Sequence, residues 1–188
     1  LGVLEAALGS ENATVGVVRG NLGVTLTELG RYDEALAQLE RAQGVARKAL
    51  GPDDAQQAFF LEALGRVFRE LKRYEEARGV LARALALREK VQGPNHPDMA
   101  SALLELGELH LAQHRPAEAV PLLERALTLT ASLDKAAVQF PLAEALWESG
   151  GNKPRAVQLA SQAQEVWKAH QHPLYARALK WIAGHRLP

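Results

Sequence analysis

The sequence predicts an all-α chain: a right-handed solenoid of antiparallel helical hairpins closed by a C-terminal capping helix. Three observations carry that prediction. The chain repeats itself without gaps on a 42-residue period. Within each period, two apolar runs follow the spacing of one helix face. Between periods, Gly-Pro pairs stop one helix before the next begins. A long internal repeat of this kind marks supersecondary units that bury their faces only by stacking on neighbours.

Taken in order, Leu1 to Leu8 followed by Gly9 reads as the tail of a preceding second helix (residues 1–9), so the chain, which opens without methionine, is expected to be cut from a longer array. Three matched copies follow. Leu22-Gly23 leads to Gly30-Arg31-Tyr32-Asp33-Glu34-Ala35, Leu64-Gly65 to Arg73-Tyr74-Glu75-Glu76-Ala77, and Leu106-Gly107 to Arg115-Pro116-Ala117-Glu118-Ala119. The register continues through Leu39, Leu81 and Leu123 and through Ala42, Ala84 and Ala126, with linker glycines at Gly9, Gly51 and Gly93. Hairpins are predicted over 16–49, 57–91 and 99–131. Each is joined by a short turn that forces its helices antiparallel. Gly30 suits the left-handed residue that ends a helix; Lys72 and His114 stand in its place and are expected to be less favourable there. Small residues at Gly23, Gly65 and Gly107 are expected to face Ala35, Ala77 and Ala119 and let two backbones approach closely.

A degenerate fourth hairpin is predicted over 136–170. Leu142-Ala143 replaces Leu-Gly, and Ala156, Leu159 or Ala160, and Ala163 continue its second helix. Pro141 falls inside its first helix, where a missing donor and a ring clash predict a kink or a late start. The stripe Leu174, Ala178, Trp181 and Ile182 predicts a capping helix over 173–186. Residues 1–188 are read as one repeat domain.

Composition narrows the function. Hydrophobic residues make up 47% and charged residues 23%, as in ordinary folded chains, but aromatics are only 5%, so the core must be Leu, Ala and Val. The 22 basic and 22 acidic residues cancel, against the basic face that nucleic acid requires. The absence of cysteine excludes disulfides, thiolate metal sites and cysteine nucleophiles. No apolar run reaches the roughly 18–20 residues of a membrane span, and no signal-peptide pattern opens the chain. A cytoplasmic location is expected. Arginine outnumbers lysine and Ala and Leu abound, which points to a GC-rich bacterial source.

The pattern Leu22-Gly23, Gly30 to Ala35 and Leu39 to Ala42, with a Gly93 to Asp98 linker, resembles the tetratricopeptide repeat, in the 42-residue form of kinesin light chains and many bacterial regulators. The degenerate fourth copy, with Trp147 and a Gly-Gly turn, is similar to C-terminal repeats of bacterial serine/threonine kinases, which would put a catalytic domain outside this chain. The resemblance implies a scaffold that binds a peptide or protein along a concave groove lined by first helices. Its positions carry over to Val17, Gly20, Asn21, Val24, Thr27 and Glu28 in copy one and Phe59, Glu62, Arg66, Arg69 and Glu70 in copy two. Copy three supplies Ser101, Leu104, Glu108, Leu111 and Ala112, and copy four Ala137, Phe140, Glu144, Trp147 and Glu148. Such a groove is mildly acidic and favours neutral to basic partners. Glu62 with Arg66, and Arg66 with Glu70, are spaced to neutralise each other on one helix. The alternative is a structural spacer or oligomerisation array positioning a catalytic domain elsewhere.

Candidate chemistry is sparse. His110 and His114, near Glu108 and Glu118, have a spacing that can hold a metal, but His110 falls at the packing position of Leu26 and Phe68, and no third ligand is evident. Asn95-His96-Pro97-Asp98 is a linker turn. Ser10 and Ser101 have no partnered base. No enzyme activity, cofactor, metal or small-molecule substrate is expected, and Glu40, Arg41 and Arg83 are read as a solvated convex face.

Overall fold

A computed structural model describes residues 1–131 and 135–185. Among the described residues the chain holds ten helices and no strand: α1 Gly2–Leu8, α2 Ala13–Glu28, α3 Tyr32–Leu50, α4 Ala55–Glu70, α5 Tyr74–Gln92, α6 Met99–Ala112, α7 Pro116–Leu129, α8 Lys135–Glu148, α9 Lys153–Ala169 and α10 Tyr175–Gly184. The end of the expected capping segment, residue 186, lies outside the described residues. The chain divides into two compact units, Leu1–His96 and Pro97–Pro188.

Three kinds of punctuation set the helix ends. Asn12, Asp54 and Asn152 cap α2, α4 and α9, each accepting a backbone N–H at 2.8–3.0 Å, which satisfies one of the orphan donors of a helix start. Asp98 holds the matching place before α6 but its side chain makes no cap; instead Ser101 Oγ donates to the Asp98 carbonyl at 2.9 Å. The four turns within hairpins share one design. Arg31, Arg73, Arg115 and Gly151 donate back to Leu26, Phe68, His110 and Leu146 at 2.8–2.9 Å. That closure needs a left-handed residue just before the donor. Gly30 and Gly150 supply it with φ of 72° and 74°, and Lys72 and His114 are driven to 59° and 58°.

In the first unit α2 pairs with α3, α4 with α5, and α3 with α4, while α1 rests on α2; in the second, α6 pairs with α7, α7 with α8, α8 with α9, and α9 with α10. The Leu-Gly pair explains how closely each hairpin closes. A Cβ on Gly65 would lie 2.5 Å from Leu81 Cγ and Cδ2, and on Gly107 2.6 Å from Leu123. On Gly23 it would lie 2.6 Å from Leu39 Cγ and 3.3 Å from the Ala35 carbonyl. The glycines thus make room chiefly for the leucine four residues beyond the alanine that the sequence suggested. Leu39, Leu81 and Leu123 are fully buried in consequence.

Pro141 does not delay α8, which begins at Lys135 and continues through it. The carbonyl left without a helical donor belongs to Ala137, an exposed residue, while Pro141 itself is buried. α10 covers the last hairpin: Ala178 is fully buried, and Trp181 and Ile182 pack on the cluster that holds Phe140, Ala160 and Trp167. Leu174, expected in that stripe, stays 37% exposed at the helix start.

Candidate interaction surface

Within each unit the first helices of consecutive hairpins touch, α2 against α4 and α6 against α8. No comparable contact joins the second helices α3 to α5 or α7 to α9 among the described residues. Helices that converge on one side and splay on the other make the first-helix side the inner face of each unit. On α2 and α4 the outward stripe is legible from exposure. Thr14, Asn21 and Glu28 are exposed and Val17 and Val24 half-buried; a period later, Phe59 and Glu70 are exposed and Gln56, Ala63 and Arg66 half-buried.

Several predicted positions lie on that face and several do not. Val17, Asn21, Val24, Phe59 and Arg66 share the outward stripe of the first unit. Phe59 is its large apolar group, 38% exposed, with its ring edge-on to Phe60 at 5.5 Å. Arg69 is turned aside, its side chain 15% exposed and 3.4 Å from Glu70. In the second unit Glu108 is half-buried, and Leu104 and Leu111 lean against the aromatic core cluster while keeping part of their surface open.

Glu62, Phe140 and Gly20 lie off that stripe. Glu62 is 7% exposed and accepts from Arg88 Nε at 3.0 Å and Nη2 at 3.4 Å. Phe140 is 1% exposed, edge-on to Trp167 at 5.5 Å and to Trp181 at 6.1 Å. A Cβ on Gly20 would overlap the Phe60 ring. These three hold the same register place, which is buried in each: Glu62 meets Arg88 of its own hairpin, Phe140 meets Trp167, and Gly20 meets Phe60 of the next hairpin. Trp147 is half-buried: Trp181 lies at 5.8 Å, His185 at 4.7 Å and Lys153 Nζ at 5.0 Å above its ring. The cap therefore covers much of what the sequence offered there.

The expected acidity is also reduced. Glu62 is matched by Arg88, Glu70 by Arg69, and Glu144 by Arg177 at 2.8 Å. Two of these cations come from α5 and α10, so counting first-helix residues alone could not find them. Burial pushes the Glu144 carboxyl up despite Arg177. The convex positions Glu40, Arg41 and Arg83 are exposed, as the repeat register implied. His110 Nδ1 lies 3.4 Å from Glu118, and no group of three or more metal-capable side chains occurs among the described residues.

Comparison with known proteins agrees with this architecture. Two family models, both described as the tetratricopeptide repeat, match: one over residues 14–90 and 61–132, the other over 104–170. No curated protein sequence matches. Among solved structures, BtubC from P. vanneervenii is 20% identical with a TM-score of 0.68, over 83% of this chain and 64% of its own length. A putative kinesin light chain from Podosopora anserina, with nearly identical TPR-like repeats, is 23% identical with a TM-score of 0.67, over 93% and 90%. YrrB, described as a TPR protein with an unusual peptide-binding site, is 18% identical with a TM-score of 0.54, over 98% and 90%.

Proposed function

We propose, because this chain belongs to the tetratricopeptide repeat family, that it is a protein-interaction scaffold that takes a peptide or protein segment on the first-helix face of its units. The observation that carries this reading is the outward stripe of α2 and α4, where Val17, Val24 and Phe59 offer apolar contact beside Asn21 and Arg66. A solvent-facing Phe beside two half-buried valines gives a ligand side chain a desolvated anchor, the kind of contact that supplies most binding energy. The neighbouring polar groups orient the ligand backbone and set encounter rate more than affinity. With Glu62 and Glu70 already paired, the stripe favours a neutral or mildly polar segment over a strongly basic one. Peptide recognition by YrrB, a protein of the same fold, is consistent with this use of the architecture.

The test begins with selection of binders from a random peptide library on the full chain. Phe59→Ala, with its melting curve unchanged, is expected to weaken a selected binder about tenfold, or ~1.4 kcal/mol. Glu40→Ala on α3 is expected to leave it unchanged. Binders lost with Glu40→Ala and retained with Phe59→Ala would move the site to the other face. Phe59 is a cleaner probe than Leu104 or Leu111, which also support the core.

A further inference from the structure

We propose a second binding site, on the opposite side of the first unit, for an acidic peptide segment. It lies in a cavity of about 280 Å³ between α3 and α5, floored by α4. Arg47 of α3 and Arg83 and Lys90 of α5 line it with a single acid, Asp53; Leu61 and Leu87 make an apolar wall.

The argument starts from which cations in this unit have partners. Arg19 bonds Glu5 and Gln38, Arg31 bonds Glu34, Arg73 bonds Glu76, Arg78 bonds Glu75, and Arg88 bonds Glu62. Arg66 and Arg69 are engaged too. The three arginines of the unit with no partner among the described residues are Arg41, Arg47 and Arg83, and all three line cavities. Elsewhere the unit has matched its guanidinium groups; here it leaves them exposed and aimed at open space.

The second cavity, of about 380 Å³, is the first one displaced by one period. Glu11, Arg41, Val45 and Lys48 stand where Asp53, Arg83, Leu87 and Lys90 stand a repeat later. The ion pair at the rim recurs as well, Lys48 with Glu11 at 2.7 Å and Lys90 with Asp53 at 2.6 Å. That pair joins the linker to the second helix at the exposed rim. Each cavity is lined by three cations and one acid, but the later one exchanges Arg19, which Glu5 already holds, for Leu61 and adds Arg47, so among the described residues it has two unpaired arginines where the earlier has Arg41 alone.

The chemistry of the lining selects the occupant. Three cations against one acid favour carboxylates, and planar guanidinium forks suit them in a bidentate way. An apolar wall beside them fits the methylene stem of a glutamate, which a free oxyanion does not possess. The volume falls near the lower limit of small-molecule sites, room for one or two side chains and not for a cofactor. This site is separate from the first-helix face, and its ligand has the opposite charge preference to the basic partners that the sequence alone favoured.

Fluorescein-labelled hexaglutamate, titrated into the full chain and followed by anisotropy, tests the proposal. Arg47→Ala/Arg83→Ala is expected to weaken binding at least about fivefold with an unchanged melting curve, since both side chains are exposed and unpaired. Asp53→Asn, which removes the competing acid, is expected to tighten it. Hexalysine is expected not to bind, and inorganic phosphate at matched concentration not to displace the peptide. The proposal is overturned if hexaglutamate fails to bind, if the double variant binds as the parent does, or if Asp53→Asn weakens binding. Displacement by phosphate overturns the peptide assignment in favour of an isolated oxyanion.

Discussion

In hairpin α4–α5 the register place below the surface is held by Glu62 and Arg88, joined at 3.0 Å and each less than 10% exposed. In hairpin α8–α9 the same place is held by Phe140 and Trp167, edge-on at 5.5 Å. The two remaining hairpins differ again. Copy three has Leu104 and Thr130 there, and copy one has Gly20 and Ala46, with Phe60 of the next hairpin filling the space. The same backbone geometry accepts an ion pair, an aromatic pair, a mixed pair and a void plugged by a neighbour. What the fold fixes at this place is volume and satisfaction of polar groups, not residue type. The family positions carried over to Glu62 and Phe140 give only their place along the helix, not which neighbour fills the space beside them.

Removing one member of either pair should have the largest effect. Arg88→Ala removes the guanidinium that the buried Glu62 carboxylate accepts from at 3.0 Å and is expected to cost about 3–5 kcal/mol. Phe140→Ala opens a cavity under Trp167 and Trp181 and is expected to cost a similar ~3–5 kcal/mol. The comparison sharpens with the double variant Glu62→Leu/Arg88→Met, which converts the ionic layer to an apolar one. Urea denaturation should show it recovering most of the loss of Arg88→Ala, because apolar replacement of a buried pair is often neutral or stabilising. A double variant as unstable as the single one would mean that the ion pair does more than fill and satisfy this layer.

A second contrast lies one step along the same helices. Copies one to three put glycine under leucine, as Gly65 under Leu81, whereas copy four has Ala143 and Ala160 at those register places, both fully buried. The last hairpin gains one methyl on one side and loses the branched end of a leucine on the other, and the large rings of Phe140 and Trp167 occupy the neighbouring layer. Gly65→Ala is therefore expected to destabilise by about 1–3 kcal/mol through overpacking against Leu81. In Gly65→Ala/Leu81→Ala, which copies the fourth hairpin, the two substitutions should be less than additive, by roughly 0.5 kcal/mol or more. Strict additivity would show that the alanine pair is no substitute for glycine and leucine.

The hairpins were readable in the sequence because their signals are local. A turn needs its left-handed residue, a linker its glycine and proline, and a close helix pair its small residue; each is encoded within a few positions of where it acts. The path of α8 was less so, because a proline inside a helix can be tolerated where its ring packs in the core, as Pro141 does. The surface was legible only in part. Val17, Asn21, Val24, Phe59 and Arg66, which the resemblance to the repeat family supplied, fall on the outward stripe. Glu62, Glu144 and Trp147 are decided by Arg88, Arg177 and Trp181, which lie 26 to 34 residues away in sequence on helices that no local pattern brings together. The free arginines of the first unit were legible only as exposed charges; that Arg47 and Arg83 share one cavity required the packing of α3 beside α5.

The smallest expected effect separates the two units by the sign of their carboxylate shifts. On the exposed turns of the first unit, the Arg31 and Arg73 guanidinium groups hold the Glu34 and Glu76 carboxyls below the ordinary range. Their contribution to stability is present above that range and fades as pH falls through the lowered value. Glu144 in the second unit behaves in the opposite way. Burial pushes its carboxyl up, with Glu148 adding to the push and Arg177 and His185 opposing it. The folded state then holds the Glu144 proton more tightly than the unfolded chain does. The resulting stability is fully present below the ordinary glutamate value of about 4.3 and is lost as pH rises through the raised one. All three tryptophans lie in the second unit, so selectively excited tryptophan fluorescence reports on that unit. The urea midpoint read this way should decline less from acid to neutral pH in Glu144→Gln than in the parent, while Glu34→Gln and Glu76→Gln leave the profile as it was. Equal profiles in the parent and Glu144→Gln would mean that Arg177 fully offsets the cost of burial and that Glu144 contributes no pH dependence.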